Sequence, residues 1–222
     1  MKKIPILSFI LLLISSLSFA QTPKGMGKSD PEAKKILDEV STKFKSYKTV
    51  KANFALKIEN AAGKTQGSKS GVLQMKGMKY KVDITGQEIF CDSKNVWTLD
   101  KSANEVQVSK LDESAGNITP QKLFSNFYDN DFLYVTNDDV KRGNKVYQVV
   151  ELTPIDKTKP FFKVLVEVDK ATKTIMSTRV FEKNGNRYIY TINSLSTNAP
   201  IADETFVFDA KKFPGVEVID LR

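Results

Sequence analysis

After the first predicted helix the hydrophobic period of the chain changes from 3.6 to 2, and that change limits the fold more than any other feature. Asp30-Pro31-Glu32 announces a helix, because aspartate accepts hydrogen bonds from exposed N–H groups at the N-cap and proline suits the first helical position. Ala33, Ile36, Leu37, Val40, Phe44 and Tyr47 follow at spacings of three and four. Lys34, Lys35, Asp38, Glu39, Lys43 and Lys45 fill the other side, which predicts an amphipathic helix from Pro31 to Lys45. From Val50 the alternation is strict: Val50, Ala52, Phe54, Leu56 and Ile58 against Lys51, Asn53, Lys57 and Glu59. Met78, Tyr80, Val82 and Ile84 alternate in the same way with Lys79, Lys81 and Asp83. Both runs are strands with one wet face.

Turn signals at Ala62-Gly63-Lys64, Lys76-Gly77, Asp92-Ser93-Lys94, Asp100-Lys101-Ser102, Arg142-Gly143-Asn144 and Lys183-Asn184-Gly185-Asn186 divide the rest into short β-rich runs. Among these are Glu88 to Cys91, Val96 to Leu99, Glu105 to Val108, Val146 to Leu152, Phe161 to Val168, Arg187 to Asn193 and Thr205 to Phe208. Roughly ten or more strands in meander order predict a mainly β, α+β protein: one large antiparallel sheet curled into an incomplete barrel, or half-barrel, covered by helices. A second helix from Thr119-Pro120 onward, with Leu123, Phe124 and Phe127 on one face, interrupts the strands and suits a lid. A two-sheet sandwich would also accommodate short alternating strands. The helices tip the balance, because a single sheet with one apolar face requires a cover.

Composition narrows the chemistry. The 222 residues contain no histidine and one cysteine, Cys91. Imidazole-based acid and base catalysis, Ser-His-Asp and Cys-His nucleophiles, zinc centres of several His or Cys, and an internal disulfide are thereby removed. No enzyme is expected. The first twenty residues read as a secretory signal: Lys2-Lys3, an apolar core from Ile4 to Ile14, and Ser18-Phe19-Ala20 before a cleavage point at Gln21. The apolar run is shorter than the roughly 20 residues that a bilayer span needs. Gln21 to Ser29 are expected to form a flexible leader, and residues 30–222 one domain. Without Lys2 and Lys3 the mature chain carries 32 basic against 26 acidic residues, a surface suited to an acidic partner or membrane face.

Other motifs carry little. Asp129, Asp131, Asp138 and Asp139 lack the spacing that wraps calcium and read as solvated turns, so no metal is expected. Gly67, Gly71 and Gly77 have no following helix to hold phosphate. Cys91 reads as a packed residue, and Trp97 as either a ligand wall or a core anchor. Lysines interleaved with aromatics read as strand exteriors, with no nucleic-acid partner.

In order along the chain, these segments resemble the periplasmic lipoprotein carrier family, LolA. The likeness runs through Lys45-Ser46-Tyr47 to Ala52-Asn53-Phe54, then Gly71-Val72-Leu73. It is strongest at Glu88-Ile89-Phe90-Cys91-Asp92-Ser93-Lys94-Asn95-Val96-Trp97. Gly116-Asn117-Ile118-Thr119-Pro120, Phe206-Val207-Phe208 and Pro214-Gly215-Val216-Glu217-Val218-Ile219-Asp220 are similar as well. The resemblance implies a half-barrel closed by helices, whose apolar cavity carries lipoprotein acyl chains from the inner to the outer membrane of a Gram-negative cell. It implies receipt from an inner-membrane ATP-driven release complex and delivery to an outer-membrane acceptor or to the membrane itself, with no cofactor and a monomeric carrier. A lipid- or lipoprotein-binding sensor of the same architecture is the alternative. This chain departs from the family pattern at Lys76-Gly77, where many members have Arg-Pro, and at Ser93, which replaces a turn glycine.

The cavity is expected to be lined by Phe54, Leu56, Met78, Tyr80, Val82, Trp97 and Tyr190, and lidded by Ile36, Leu37 and Val40 of the first helix with Leu123, Phe124 and Phe127 of the second. Lys43, Lys45, Lys48 and Lys51 form a basic rim where the first helix meets the first strand.

Overall fold

The computed structural model describes residues 29–112 and 128–222. Helix α1 (Pro31–Lys45) lies where the periodicity places it, with the Asp30 carboxylate accepting from the Glu32 N–H at 2.9 Å. Lys43 and Lys45 occupy its last turn, where cations suit the negative end of the helix dipole. Leu123, Phe124 and Phe127, and the start of the second predicted helix, lie outside the described residues. A four-residue helix α2 (Tyr128–Asp131) leads into the second half of the sheet.

Twelve strands among the described residues form one sheet. They are β1 (Val50–Glu59), β2 (Thr65–Lys76), β3 (Lys79–Ile84), β4 (Gln87–Cys91), β5 (Asn95–Asp100), β6 (Glu105–Lys110), β7 (Phe132–Arg142), β8 (Lys145–Pro154), β9 (Phe161–Asp169), β10 (Thr174–Glu182), β11 (Arg187–Thr197) and β12 (Glu217–Asp220). Their order is β12-β6-β5-β4-β3-β2-β1-β11-β10-β9-β8-β7, open at both ends and not closed into a barrel. The expected single meander is two. β1 to β6 run one way, β7 to β11 return, and the halves join where β1 pairs with β11 from Val50↔Thr197 to Glu59↔Arg187. Alternation in β1 shows which residues share a face, but not which distant strand takes its second edge.

Residues directly opposite in a ladder share a face, so the pairings divide the sheet into an inner side, which carries α1, and an outer side. Ala33, Ile36, Leu37 and Val40 are buried on the inner side against Tyr134, Val150, Leu152, Val164, Val166 and Val168. Each such aliphatic side chain contributes about 1.5–3 kcal/mol. Polar contacts orient the helix: Asp30 accepts from Thr136 Oγ1 at 2.6 Å, Lys34 bridges Asp38 and Asp129, and Lys173 meets Glu39 at 2.8 Å.

The outer side holds a smaller aromatic core. Phe208 and Phe213 stack 5.2 Å apart, and both present edges to Phe90. Phe206 beside them is fully buried. The predicted strand Thr205 to Phe208 is not formed: Asp203–Phe206 is a 3₁₀ turn instead. Burial of Phe206 and the capture of Asp203 by Lys76 at 2.7 Å and Lys79 at 2.9 Å fold the segment onto the hairpin rather than along a strand edge. The chain then reaches β12, which pairs parallel with β6, the one parallel ladder among the described residues.

Asp138 and Asp139 are a second correction, since they stand within β7 at a register shift between Asn137 and Val140 rather than in a turn, and Asp129 and Asp131 stand in α2. Ser93, at the turn after β4, keeps a left-handed backbone with φ of 83° although it is not glycine. Asp92 stabilises that turn by accepting from the Lys94 and Asn95 N–H groups at 2.8 and 2.7 Å.

The Lys76–Asp203–Lys79 contact gives the outer strap a pH signature. Hydrogen bonds from Lys76 and then Lys79 hold the Asp203 carboxyl at about 2, below its ordinary 3.8. A depressed carboxyl stabilises the fold above its unfolded value, and that contribution is lost as pH falls through about 2. Asp203→Asn is therefore expected to melt below the unmodified protein at neutral pH, with the two melting temperatures converging as pH drops from about 4 to about 2. Thermal melts across that range check it, and a pH-independent gap would assign the strap to Phe206 alone.

Candidate functional site

The inner face is built outward from β1. Val50, Ala52, Phe54, Leu56 and Ile58 point to it, because the period of a strand is 2 and their alternates Lys51, Asn53 and Lys57 are exposed or face the other way. Across β2 the opposite residues are Met75, Leu73 and Gly71, and across β3 they are Tyr80, Val82 and Ile84. β4 continues the row with Cys91 and Ile89. On the other flank β11 supplies Leu195, Ile192, Tyr190 and Tyr188. The result is an apolar floor across at least five neighbouring strands.

Of the seven residues expected to line a cavity, Phe54, Leu56, Tyr80, Val82 and Tyr190 share this face. The rings of Phe54 and Tyr190 lie 6.5 Å apart, and Leu56 stands opposite Tyr190 in the ladder. Met78 sits at the β2–β3 turn, 44% exposed, rather than within the strand. Trp97 is on the other side: it pairs with Phe90, which pairs with Lys81, the alternate of Tyr80 and Val82. The alternation of β5 alone could not assign its face, because both Val96 and Trp97 are large and apolar.

The structure adds Leu73, Ile192 and Leu195, which the sequence reading did not single out. In β11 the register shifts beside Asn193, so that Asn53 pairs with Ser194 and Phe54 with Ile192. The extra residue moves Leu195 onto the face of Tyr190 and Ile192, breaking the period that would have identified it. Tyr190 and Leu195 are 37% and 41% exposed, so β11 is the least covered row of the floor.

Helix α1 packs mainly on the β7–β10 half of the inner side, and its C-terminal end, with Phe44 and the following Tyr47, reaches the edge of the floor. Ile36, Leu37 and Val40, expected as lid residues, are buried beneath it. Toward its C-terminal end a cavity of about 30 Å³ remains, bounded by Val40, Phe44 and Tyr47 above and by Val50, Leu73, Ile192 and Leu195 below. That is room for about one water molecule. Lys43 and Lys173 stand at its edge, and Lys43 also lies over the Tyr47 ring at 5.9 Å. Lys45, Lys48 and Lys51 are exposed nearby.

The chemistry of this face is that of a solvent for apolar groups. Burial pushes the Tyr80 phenol well above its ordinary value and the Cys91 thiol up, so both stay neutral at physiological pH. Cys91 is fully buried, which keeps the thiol from reagents as well. Among the described residues, no three His, Cys, Asp or Glu side chains come together as a metal site. Lys76, at the position of the family departure, points to the outer side and serves Asp203.

Comparison with known proteins gives one family and one fold. The family model described as "Outer membrane lipoprotein carrier protein LolA" matches residues 45–209. No curated protein matches the sequence. The chain is similar to the solved structure of an uncharacterized conserved protein from Thermus thermophilus, at 9% identity over 85% of this chain and 99% of that one, with a TM-score of 0.57. It is also similar to a LolA superfamily protein from Nitrosomonas europaea, at 16% identity over 79% of this chain and 97% of that one with a TM-score of 0.42. For the lipoprotein LppX from Mycobacterium tuberculosis the identity is 12% over 78% and 99%, with a TM-score of 0.49. The Thermus structure shares the fold.

The floor has one point of closest approach. A Cβ placed on Gly71 would lie 2.5 Å from Phe54 Cζ and 2.8 Å from the Asp83 carbonyl oxygen, whereas one on Gly67 would meet nothing within 4 Å. Gly71→Ala is expected to cost about 1–3 kcal/mol, since ring and backbone must both shift, while Gly67→Ala stays within about 0.5 kcal/mol of the unmodified protein. Urea titration of the two variants checks this, and equal stabilities would mean that the Phe54 ring does not rest on Gly71.

Proposed function

Because the chain belongs to the outer membrane lipoprotein carrier protein LolA family, we propose that it is a periplasmic carrier whose inner face takes up the acyl chains of lipoproteins and moves them from the inner to the outer membrane. The observation that carries this reading is the apolar floor beside α1, which gathers Phe54, Leu56, Tyr80 and Val82 on one face yet leaves Tyr190 and Leu195 partly uncovered. An acyl chain needs such a surface: burying each CH₂ is worth about 0.8 kcal/mol, so three chains of about sixteen carbons amount to roughly 35 kcal/mol as an upper estimate. Free diffusion of such a cargo through water is excluded.

A cavity of about 30 Å³ cannot hold one acyl chain, so a chain that enters there displaces the C-terminal end of α1. The exchange is balanced. Each buried aliphatic side chain of the helix that is uncovered costs about 1.5–3 kcal/mol, which roughly two to four buried ligand methylenes offset at about 0.8 kcal/mol each. The protein works by binding rather than by catalysis. Cleavage after Ala20 delivers it to the periplasm, where it receives cargo from an ATP-driven release complex and passes it to an outer-membrane acceptor or to the membrane itself. The lysines around the end of α1 suit an acidic face of that complex.

A fluorescent fatty-acid analogue tests the site. Phe54→Asp and Val82→Asp are expected to weaken its binding at least tenfold, about 1.4 kcal/mol, and to slow lipoprotein release from inner-membrane vesicles. Leu195→Asp, at a partly open position, does the same with less risk to the core, whereas Trp97→Phe on the outer side leaves binding unchanged. Folded Asp variants that bind the analogue as tightly as the unmodified protein would overturn the assignment.

A further inference from the structure

We propose that the end of the sheet where three turns meet is a docking surface for an anionic lipid bilayer, a role that does not rest on the inner face holding a ligand. The turns are residues 60–64 between β1 and β2, 155–160 between β8 and β9, and 183–186 between β10 and β11. They are bonded to one another. Lys183 donates its N–H to the Pro160 carbonyl at 2.9 Å and its Nζ to the Lys157 carbonyl, and Arg187 Nη2 donates to the Ala61 carbonyl at 2.8 Å. Gly185 lies against Ala61. Residues far apart in the chain thus make one continuous surface.

Two large apolar side chains stand out from it. Ile155 is 50% exposed and Phe162 is 49% exposed, the latter leaning on Phe181 with ring centres 6.2 Å apart. Around them are six cations, Lys64, Lys157, Lys159, Lys163, Lys183 and Arg187, against four carboxylates, Asp156 and Glu182 on or beside the turns, Glu59 opposite Arg187, and Glu151 beside Lys163. The cations are ordered mainly by neutral groups: Lys157 on the Pro154 carbonyl at 2.8 Å, and Lys163 and Arg187 over the Phe181 ring at 4.8 and 5.6 Å. Glu151 approaches Lys163 only to 3.9 Å. Asp156 accepts from the Thr158 N–H and hydroxyl, and Glu182 accepts from Asn184. The surface therefore keeps a net positive charge.

Exposed apolar groups, Ile155 on a turn and Phe162 at the start of β9, ringed by lysines, match the two requirements of a reversible membrane contact. Aromatic and aliphatic side chains enter the headgroup layer while lysine stems lie along it and keep their charge at the anionic surface. An acidic protein would answer the charge, but two separate exposed apolar side chains suit a deformable layer better than a preformed pocket.

Co-sedimentation of the purified protein with vesicles decides the matter, one set of phosphatidylcholine alone and one with about a third phosphatidylglycerol. Binding to the anionic vesicles is expected to be at least tenfold tighter and to weaken as salt screens the contact. Lys64→Glu with Lys157→Glu, both at exposed positions, should lower that affinity about tenfold. Phe162→Ser should lower it several-fold. The fatty-acid analogue should bind all these variants as before, so failure of docking is distinct from failure of the ligand site. Equal binding to both vesicle types, or a charge-reversed double variant that binds like the unmodified protein, would overturn the proposal. So would binding to polyglutamate without binding to vesicles, which would assign the surface to an acidic protein. Should Phe162→Ser fail to fold, the lysine variants still decide.

Discussion

β1 pairs along its whole length with β2 on one edge and with β11 on the other, and the rest of the molecule is arranged by that double ladder. Either half of the sheet alone would leave a long unpaired edge, an open template for association with other chains. Joined through β1, the halves leave only β12 and β7 at the margins. The same ladder sets the faces: once Phe54 and Leu56 point inward, the pairings carry that direction through β2 to Tyr80 and Val82 and through β11 to Tyr190 and Ile192. An apolar floor follows from pairing geometry rather than from any local motif.

The two sides of the sheet are then stabilised differently. On the outer side, burial works against ionisation of Glu88, but Lys81 and Lys101 at 2.8 and 2.9 Å outweigh it and hold the carboxyl below its ordinary range. The aromatic group of Phe90, Phe208 and Phe213 closes the rest of that side with a fixed packing. On the inner side polar contacts hold the N-terminal half of α1, where Asp30 accepts from Thr136 Oγ1 at 2.6 Å and the hydroxyl of the buried Tyr128 donates to Asp38 at 2.8 Å. Its ion pairs are at least partly solvated, where such pairs contribute about 0–1 kcal/mol each. Its C-terminal end meets the floor through the apolar contacts of Val40 and Phe44. A cover of this kind can be exchanged for other apolar groups, whereas a polar lock would have to be broken first.

Helix α1 was legible to the residue, because a cap, a first-turn proline and successive turns of periodic side chains agree. β1 and β3 were legible because one wet face leaves a period of 2, and β4 because turn signals bound it on both sides. β7 and β10 escaped. Both contain a register shift, between Asn137 and Val140 and between Ile175 and Ser177, and an inserted residue reverses the alternation partway along the strand. The segment Thr205 to Phe208 read as a strand because its residues suit one, but burial of Phe206 and the two lysines at Asp203 overrode that local preference.

The site divides along the same line. The sequence by itself determined that Phe54, Leu56, Tyr80 and Val82 would face one way on their strands, since alternation within a strand is a property of the backbone. It also determined that no histidine chemistry is available and that the single cysteine has no second cysteine to pair with. Only the tertiary structure decided that those strands lie in register beside β11, that Trp97 belongs to the opposite side, and that Leu195 joins the floor. The physical reason is that facing is inherited through hydrogen-bonded pairing, one residue opposite another. Pairing between β1 and β11 joins residues more than 120 positions apart, beyond the reach of any local pattern.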